Sequence, residues 1–156
     1  MDRDSRFDFG DVDVGEQKFY LRRSYHLERF DDHIASLALY TADYAGSHES
    51  LDQQIINWDL RRARPFTTAD VFDRSKEWEK FVIDYCIAEI GREMDEEPDR
   101  DSVGAIVRGE SWRFGPDKAM LYVPFSAMSG FAGPGTDVVI PYTLLKPYLK
   151  ADAPIL

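Results

Sequence analysis

Apolar and polar residues alternate with a period of two from Lys18 to Leu27, where Phe19, Leu21, Tyr25 and Leu27 are separated by Lys18, Tyr20, Arg22, Ser24 and His26. This is the pattern of a strand with one buried face, and Arg23 interrupts its apolar side. Ile34–Ala42 is more continuously apolar, which predicts a central strand running into a turn over 43–50. Ile55, Ile56, Trp58 and Leu60, with Asn57 and Asp59 between them, read as a short strand with a largely buried face. Arg61, Arg62 and Arg64 then mark a solvated crossing, and Thr67 followed by Asp70 has the spacing of a capping box at a helix start. The period changes to that of a helix between Lys76 and Ile90, where Trp78, Phe81, Val82 and Tyr85 form one stripe and Gly91 supplies a natural C-cap.

Residues 1–15 are acidic and turn-rich and predict a loosely held lead-in, and 92–102 predict a solvated acidic connector. Three short strands are expected over 103–107, 110–114 and 120–125, with turns at Gly109 and at Gly115-Pro116-Asp117. A long loop of small residues, 126–135, carries the aromatic Phe131 and precedes a last strand, 138–142, and a short helix, 143–150. Phe131 is either exposed at the tip or tucked into the core. These elements predict an α+β fold: an antiparallel β-sheet with one long helix packed on a face, and short additional helices.

The length, 156 residues, suits one domain over 1–156 with a genuine core. Nineteen basic residues against twenty-nine acidic ones give a formal charge of -10, which disfavours nucleic acid and favours a basic partner. One cysteine, Cys86, forbids an internal disulfide and reads as a buried structural thiol. No apolar run is long enough for a transmembrane segment, and the first residues lack a signal-peptide core.

No metal site is expected: Asp11, Asp13 and Gly15 lack the later ligands of a calcium loop, and His48 has no second histidine at metal-ligand spacing. His48 is read either as a structural turn residue or as a direct contact. No nucleophile elbow, zinc-protease motif or phosphate-binding glycine loop occurs. No catalytic residue, and no cofactor, is assigned.

Three ordered stretches carry a resemblance. Ala45-Gly46-Ser47-His48 resembles a Gly-Gly-Ala-His turn; Asp59 and Leu60 with Thr67, Asp70 and Phe72 match a second motif. Pro124-Phe125, Gly133-Pro134 and Val139-Ile140-Pro141-Tyr142 with Leu145-Lys146 match a third. Together, over roughly 34–149, they resemble a bacterial extracytoplasmic domain shared by RsiV-type lysozyme-sensing anti-sigma factors and PdaC-type peptidoglycan deacetylases, where it is an accessory domain.

The resemblance implies a non-enzymatic periplasmic or extracytoplasmic protein that binds, as an inhibitor or immunity protein, a lysozyme-like or other peptidoglycan hydrolase. Two loops would enter the hydrolase cleft: Tyr44, Ser47, His48 and Glu49 on one, Pro124, Phe125, Ser126, Ser129 and Phe131 on the other. The alternative is an accessory module that binds peptidoglycan or another glycan, for which Trp58, Trp112 and Tyr122 are the candidate platforms.

Overall fold

The computed structural model describes residues 4–14, 17–45, 49–93, 98–124 and 135–156. It has the α+β architecture expected, with the strands divided between two antiparallel sheets. The larger follows chain order: β1 (Asp4–Val14), β2 (Gln17–Phe30), β3 (Ile34–Ala45), β4 (Glu49–Asp59) and β5 (Arg64–Pro65). The smaller joins β6 (Trp112–Phe114), β7 (Lys118–Val123) and β8 (Thr136–Pro141). The helices are α1 (Thr68–Val71), α2 (Trp78–Glu93), α3 (Arg100–Arg108) and α4 (Tyr142–Leu145), the last followed by a 3-10 turn at Lys146–Tyr148.

Strand β6 lies across β2, β3 and β4, while α2 packs on β8 and α3 on β7. The smaller sheet is therefore the middle layer, and its central residues are buried. Two polar side chains couple the sheets. Ser36 Oγ donates to Asn57 Oδ1 (2.7 Å) and accepts from Phe114 N (2.9 Å), while Asn57 Nδ2 donates to Trp112 O (2.8 Å). Behind this seam Phe72 stacks on Trp78 with ring centroids 4.3 Å apart, and Trp112 Nε1 donates to Val107 O (2.8 Å). An indole buried with its N–H satisfied contributes apolar area without an orphaned donor.

Several expectations change. Residues 4–14 form β1 and not a loose lead-in, and its ladder with β2 slips between Asp8 and Asp11. The turn predicted over 43–50 is shorter, since β3 runs to Ala45 and β4 begins at Glu49. In β4 the burial is inverted: Asp59 is fully buried, whereas Trp58 and Leu60 are exposed. Asp59 is accommodated because its carboxylate accepts from Arg62 N (3.0 Å) and Arg62 Nη1 (3.1 Å), closing the turn in which Ala63 adopts a positive φ of 49°.

Arg62 also reaches Asp152, and Arg61 Nη2 donates to Pro154 O, so this basic crossing holds down the C-terminal residues. Thr67 N donates to Asp70 Oδ2 (3.0 Å), the predicted cap, although α1 is a single turn. Gly91 lies inside α2, which continues to Glu93. Residues 103–107 are helical: Asp99 caps α3 by accepting from Ser102 N (2.8 Å), and Val103, Gly104 and Val107 share its buried side. That is a helical spacing that a run of β-branched residues conceals.

Candidate functional site

The larger sheet is buried unevenly along its length. On the face toward β6, Ile34, Ser36 and Ala38 are fully buried, whereas Tyr40, Ala42 and Tyr44 are only half-buried. Among the described residues, the distal half of β3, with its partners on β2 and β4, thus extends beyond the second layer. Side-chain pairing replaces core packing there. Tyr44 stacks on Tyr20, its cross-strand partner, with centroids 5.7 Å apart, and the Arg22 guanidinium lies 4.6 Å from the centre of the Tyr20 ring. Such pairs stabilise an open sheet by roughly 0.2–1 kcal/mol each. Tyr44 is opposite Glu49 in the β3–β4 register, so both flank the connection between those strands.

The connection between β7 and β8 departs at Pro124 and returns at Gly135, and its neck is tight. Gly135 N donates to Tyr122 Oη (2.8 Å), and a Cβ at Gly135 would stand 2.6 Å from Pro124 Cα. No side chain larger than hydrogen fits between these two chain segments. At the other end of β8, Tyr142 Oη donates to Gly115 O (2.9 Å) and its ring lies near Arg29 and Asp31 at the base of the larger sheet. Asp137, at the near end, belongs to a cluster reaching Tyr40. Strands β7 and β8 therefore run from that base toward the same end as the β3–β4 tip.

Arg113 makes the joint. It is 4% exposed; Nη1 donates to Glu28 Oε1 (2.8 Å), Nη2 ion-pairs with Asp137, and Nε has no acceptor among the described residues. Burial opposes its charge, but the Asp137 bond and the neighbouring Glu28 more than offset this and hold its pKa above the ordinary value. Tyr40 is shifted up, chiefly by burial. Glu28 sits where the β2–β3 ladder slips between Leu27 and Arg29, and such bulges re-aim side chains. A cavity of about 460 Å³ adjoins the joint, lined by His26, Glu28, Arg113 and Asp137 among others.

Of the residues assigned to the two loops, Tyr44 and Pro124 lie at the strand ends, and Glu49 begins β4. Ser47, His48, Phe125, Ser126, Ser129 and Phe131 lie outside the described residues. Among the glycan platforms, Trp112 is buried, Tyr122 holds the neck, and Trp58 is exposed. Sequence reasoning missed Arg113, Glu28 and Asp137, which come from three distant strands with no shared spacing; Gly135 was visible only as part of a glycine-rich loop. Among the described residues no group of three or more His, Cys, Asp or Glu side chains could hold a metal ion, and no helix is long and apolar enough to cross a membrane.

The class that these features define is an α+β fold with a long antiparallel sheet extending past a mixed second layer. No family model and no curated protein matches the chain. Solved structures share the fold, two of them as follows. A DUF3298 family member from Bacteroides fragilis aligns with a TM-score of 0.65 at 15% identity, over 88% of this chain and 56% of its own. A DUF3298 family protein from Pseudomonas aeruginosa aligns at 0.62 and 15% identity, over 86% of this chain and 64% of its own. The chain thus spans less than two thirds of either structure's length.

Proposed function

We propose that this chain is a non-enzymatic binding protein of the bacterial envelope that captures, and inhibits, a lysozyme-like or other peptidoglycan hydrolase. The observation that carries the reading is the distal half of the larger sheet, which extends beyond the second layer with Tyr44 at its described end, while the neck at Pro124 and Gly135 is oriented the same way. Strand ends that bring two connections toward one end of a sheet suit insertion into a cleft, because the described strands fix where those connections start and finish. The formal charge of -10 supports a basic partner through faster, salt-dependent association. Of the stretches resembling those of lysozyme-sensing proteins, Ala45-Gly46-Ser47-His48 and Pro124-Phe125 with Gly133-Pro134 fall on or beside the same two connections, whereas the motif from Asp59 to Phe72 and the one from Val139 to Lys146 lie away from them.

The test is titration of the purified chain against several classes of lysozyme and other cell-wall hydrolases, with complex formation and turnover measured together. The reading expects a salt-sensitive complex and reduced turnover for at least one of them. Substitution of Tyr44, His48 or Phe131 by alanine should weaken that complex by about 1 kcal/mol or more if the side chain is an anchor. No complex and unchanged turnover across the panel rejects the reading. A complex indifferent to all three substitutions moves the interface elsewhere.

A further inference from the structure

At the opposite end of β4 from its connection with β3, two cavities of about 800 and about 500 Å³ share a wall of Thr68, Ala69, Arg74 and Arg108. The larger gathers five cations, Arg74, Lys76, Lys80, Arg100 and Arg108, against the two carboxylates Glu77 and Glu79. That reverses the balance of the whole chain, in which acids outnumber bases. Arg74 and Lys80 have no ion-pair partner among the described residues, while Arg108 meets Glu79 at 3.5 Å and Lys76 meets Asp73 at 3.8 Å. Exposed pairs this long contribute little and leave the cations available to a ligand.

The smaller cavity is chemically different: Ile55, Ile56, Trp58 and Pro65 line it, and Trp58 is 39% exposed. A ligand filling both must present a flat, carbon-rich face to an indole and negative charge beyond the shared wall. An extended peptide adds to a sheet by its backbone. Here the β4 edge beside the exposed indole is already occupied, since Trp58 and Asp59 pair with β5 and Asn57 O accepts from Phe66 N (3.0 Å), so an extended peptide could add only farther along, at Ile55 and Ile56 and away from the shared basic wall. A helical peptide needs apolar anchor pockets, yet Phe66, Trp112 and Phe114 in this wall are buried beneath the surface. Sugar rings meet both demands, since a pyranose stacks its C–H face on an indole and hydroxyl-bearing Thr67 and Thr68 line the passage.

We infer that this groove binds an acidic glycan, a chain of sugar units carrying carboxylates, with a ring on Trp58 and carboxylates on Arg74, Lys80 and Arg108. The site is separate from the proposed hydrolase-binding end: from Trp58 to Glu49 the strand alone spans about 30 Å. Its truth does not depend on the proposed function.

The test is calorimetric titration of the intact chain with short oligogalacturonate, alongside a neutral cello-oligosaccharide and an oligoglutamate of matched length. Saturable binding of the oligogalacturonate is expected, weakened by salt and reduced about tenfold by the double variant R74E/K80E. W58A should reduce it too. Arg74 and Lys80 are exposed and unpaired, so an unchanged circular dichroism spectrum and Tm are expected of that variant. Absence of oligogalacturonate binding, equal binding of oligoglutamate, or affinity unaltered by R74E/K80E would each overturn the assignment.

Discussion

Replacing Arg113 with methionine keeps most of the side-chain length and removes the guanidinium that faces Glu28. The Glu28 side chain is only 8% exposed, so little water can take the place of the lost donor, and His26 Nε2 at 3.5 Å is the basic group left beside it. At 2.8 Å and an effective dielectric constant of 20, the direct attraction is about 6 kcal/mol. Desolvation of both groups offsets much of that, and stranding one member of a buried pair costs roughly 3–5 kcal/mol. Asp137, with 46% of its side chain exposed, regains water and adds no more than about 1 kcal/mol. Urea denaturation at pH 7 should show R113M less stable by about 3–4 kcal/mol with an unchanged m value. The double variant R113M/E28Q removes the stranded charge and should recover most of the loss, a coupling of about 2 kcal/mol or more. A single-variant loss below about 1 kcal/mol, or losses that simply add, would refute the claim that this ion pair joins the sheets.

G135A should destabilise the protein by about 1–3 kcal/mol in the same assay, because the backbone of Pro124 leaves no room for the added methyl; an unaltered midpoint would contradict the tight neck. Burial pushes the Cys86 thiol up to about 12, so it should resist a disulfide reagent in the native protein and react fully in urea. Burial works against the charge of Asp31, but the N–H groups of Ile34 and His33 and the Arg29 guanidinium prevail and hold its carboxyl at about 2; Asp59 is lowered likewise, burial being outweighed by Arg62. Lowered carboxyls contribute stability that is complete above the ordinary value of 3.8 and is lost as pH falls toward 2, so stability should decline across that window, less steeply in D59N. A pH-independent stability between 5 and 2 would count against both carboxylates. Amide exchange should be slower over residues 34–38 of β3 than over 40–44, and equal rates would deny that the distal sheet lacks core support.

Strands β2 and β8 were legible in the sequence, as was the stripe of α2, but the buried face of β2 was not: Leu21, expected on it, is 38% exposed, and Tyr25 and Leu27 are only half-buried. Strand β1 was not legible, because its alternation changes phase: Phe7 and Phe9 are odd-numbered, Val12 and Val14 even-numbered, and the ladder with β2 slips at that place. An extra residue erases the period while leaving the strand intact. Helix α3 was hidden by Val103, Ile106 and Val107, whose β-branched side chains outweigh a good N-cap in any propensity argument. The apolar run of β3 predicted its central position correctly, yet one face stays partly open: Ile34, Ser36 and Ala38 are buried while Ala35, Leu37 and Leu39 are half-buried. In β4, hydrophobicity pointed to the wrong face. The polar Asp59 and Asn57 turn inward because turn amides, a guanidinium and a partner carbonyl await them, and no local pattern announces such partners. The Arg113 joint was invisible for the same reason, being assembled from β2, β6 and β8.

The two halves of the larger sheet are held by different forces, and that division bears on what the protein can do. At the base, Ser36 and Asn57 lock the strands to the second layer through one buried and two partly buried bonds, so displacement there would leave several polar groups unpaired at once. Toward the distal end the strands keep their ladder while the described residues of the second layer no longer bury them, and cross-strand pairs such as Tyr20 with Tyr44 contribute there. Arg113 stands at the boundary, linking the base at Glu28 to the strand that leads to the second connection at Asp137. A binder of clefts needs this combination, since connections carried on a sheet anchored at one end can enter a partner without carrying a core along with them. The basic groove lies at the anchored end, so the two proposed sites would not compete for one surface.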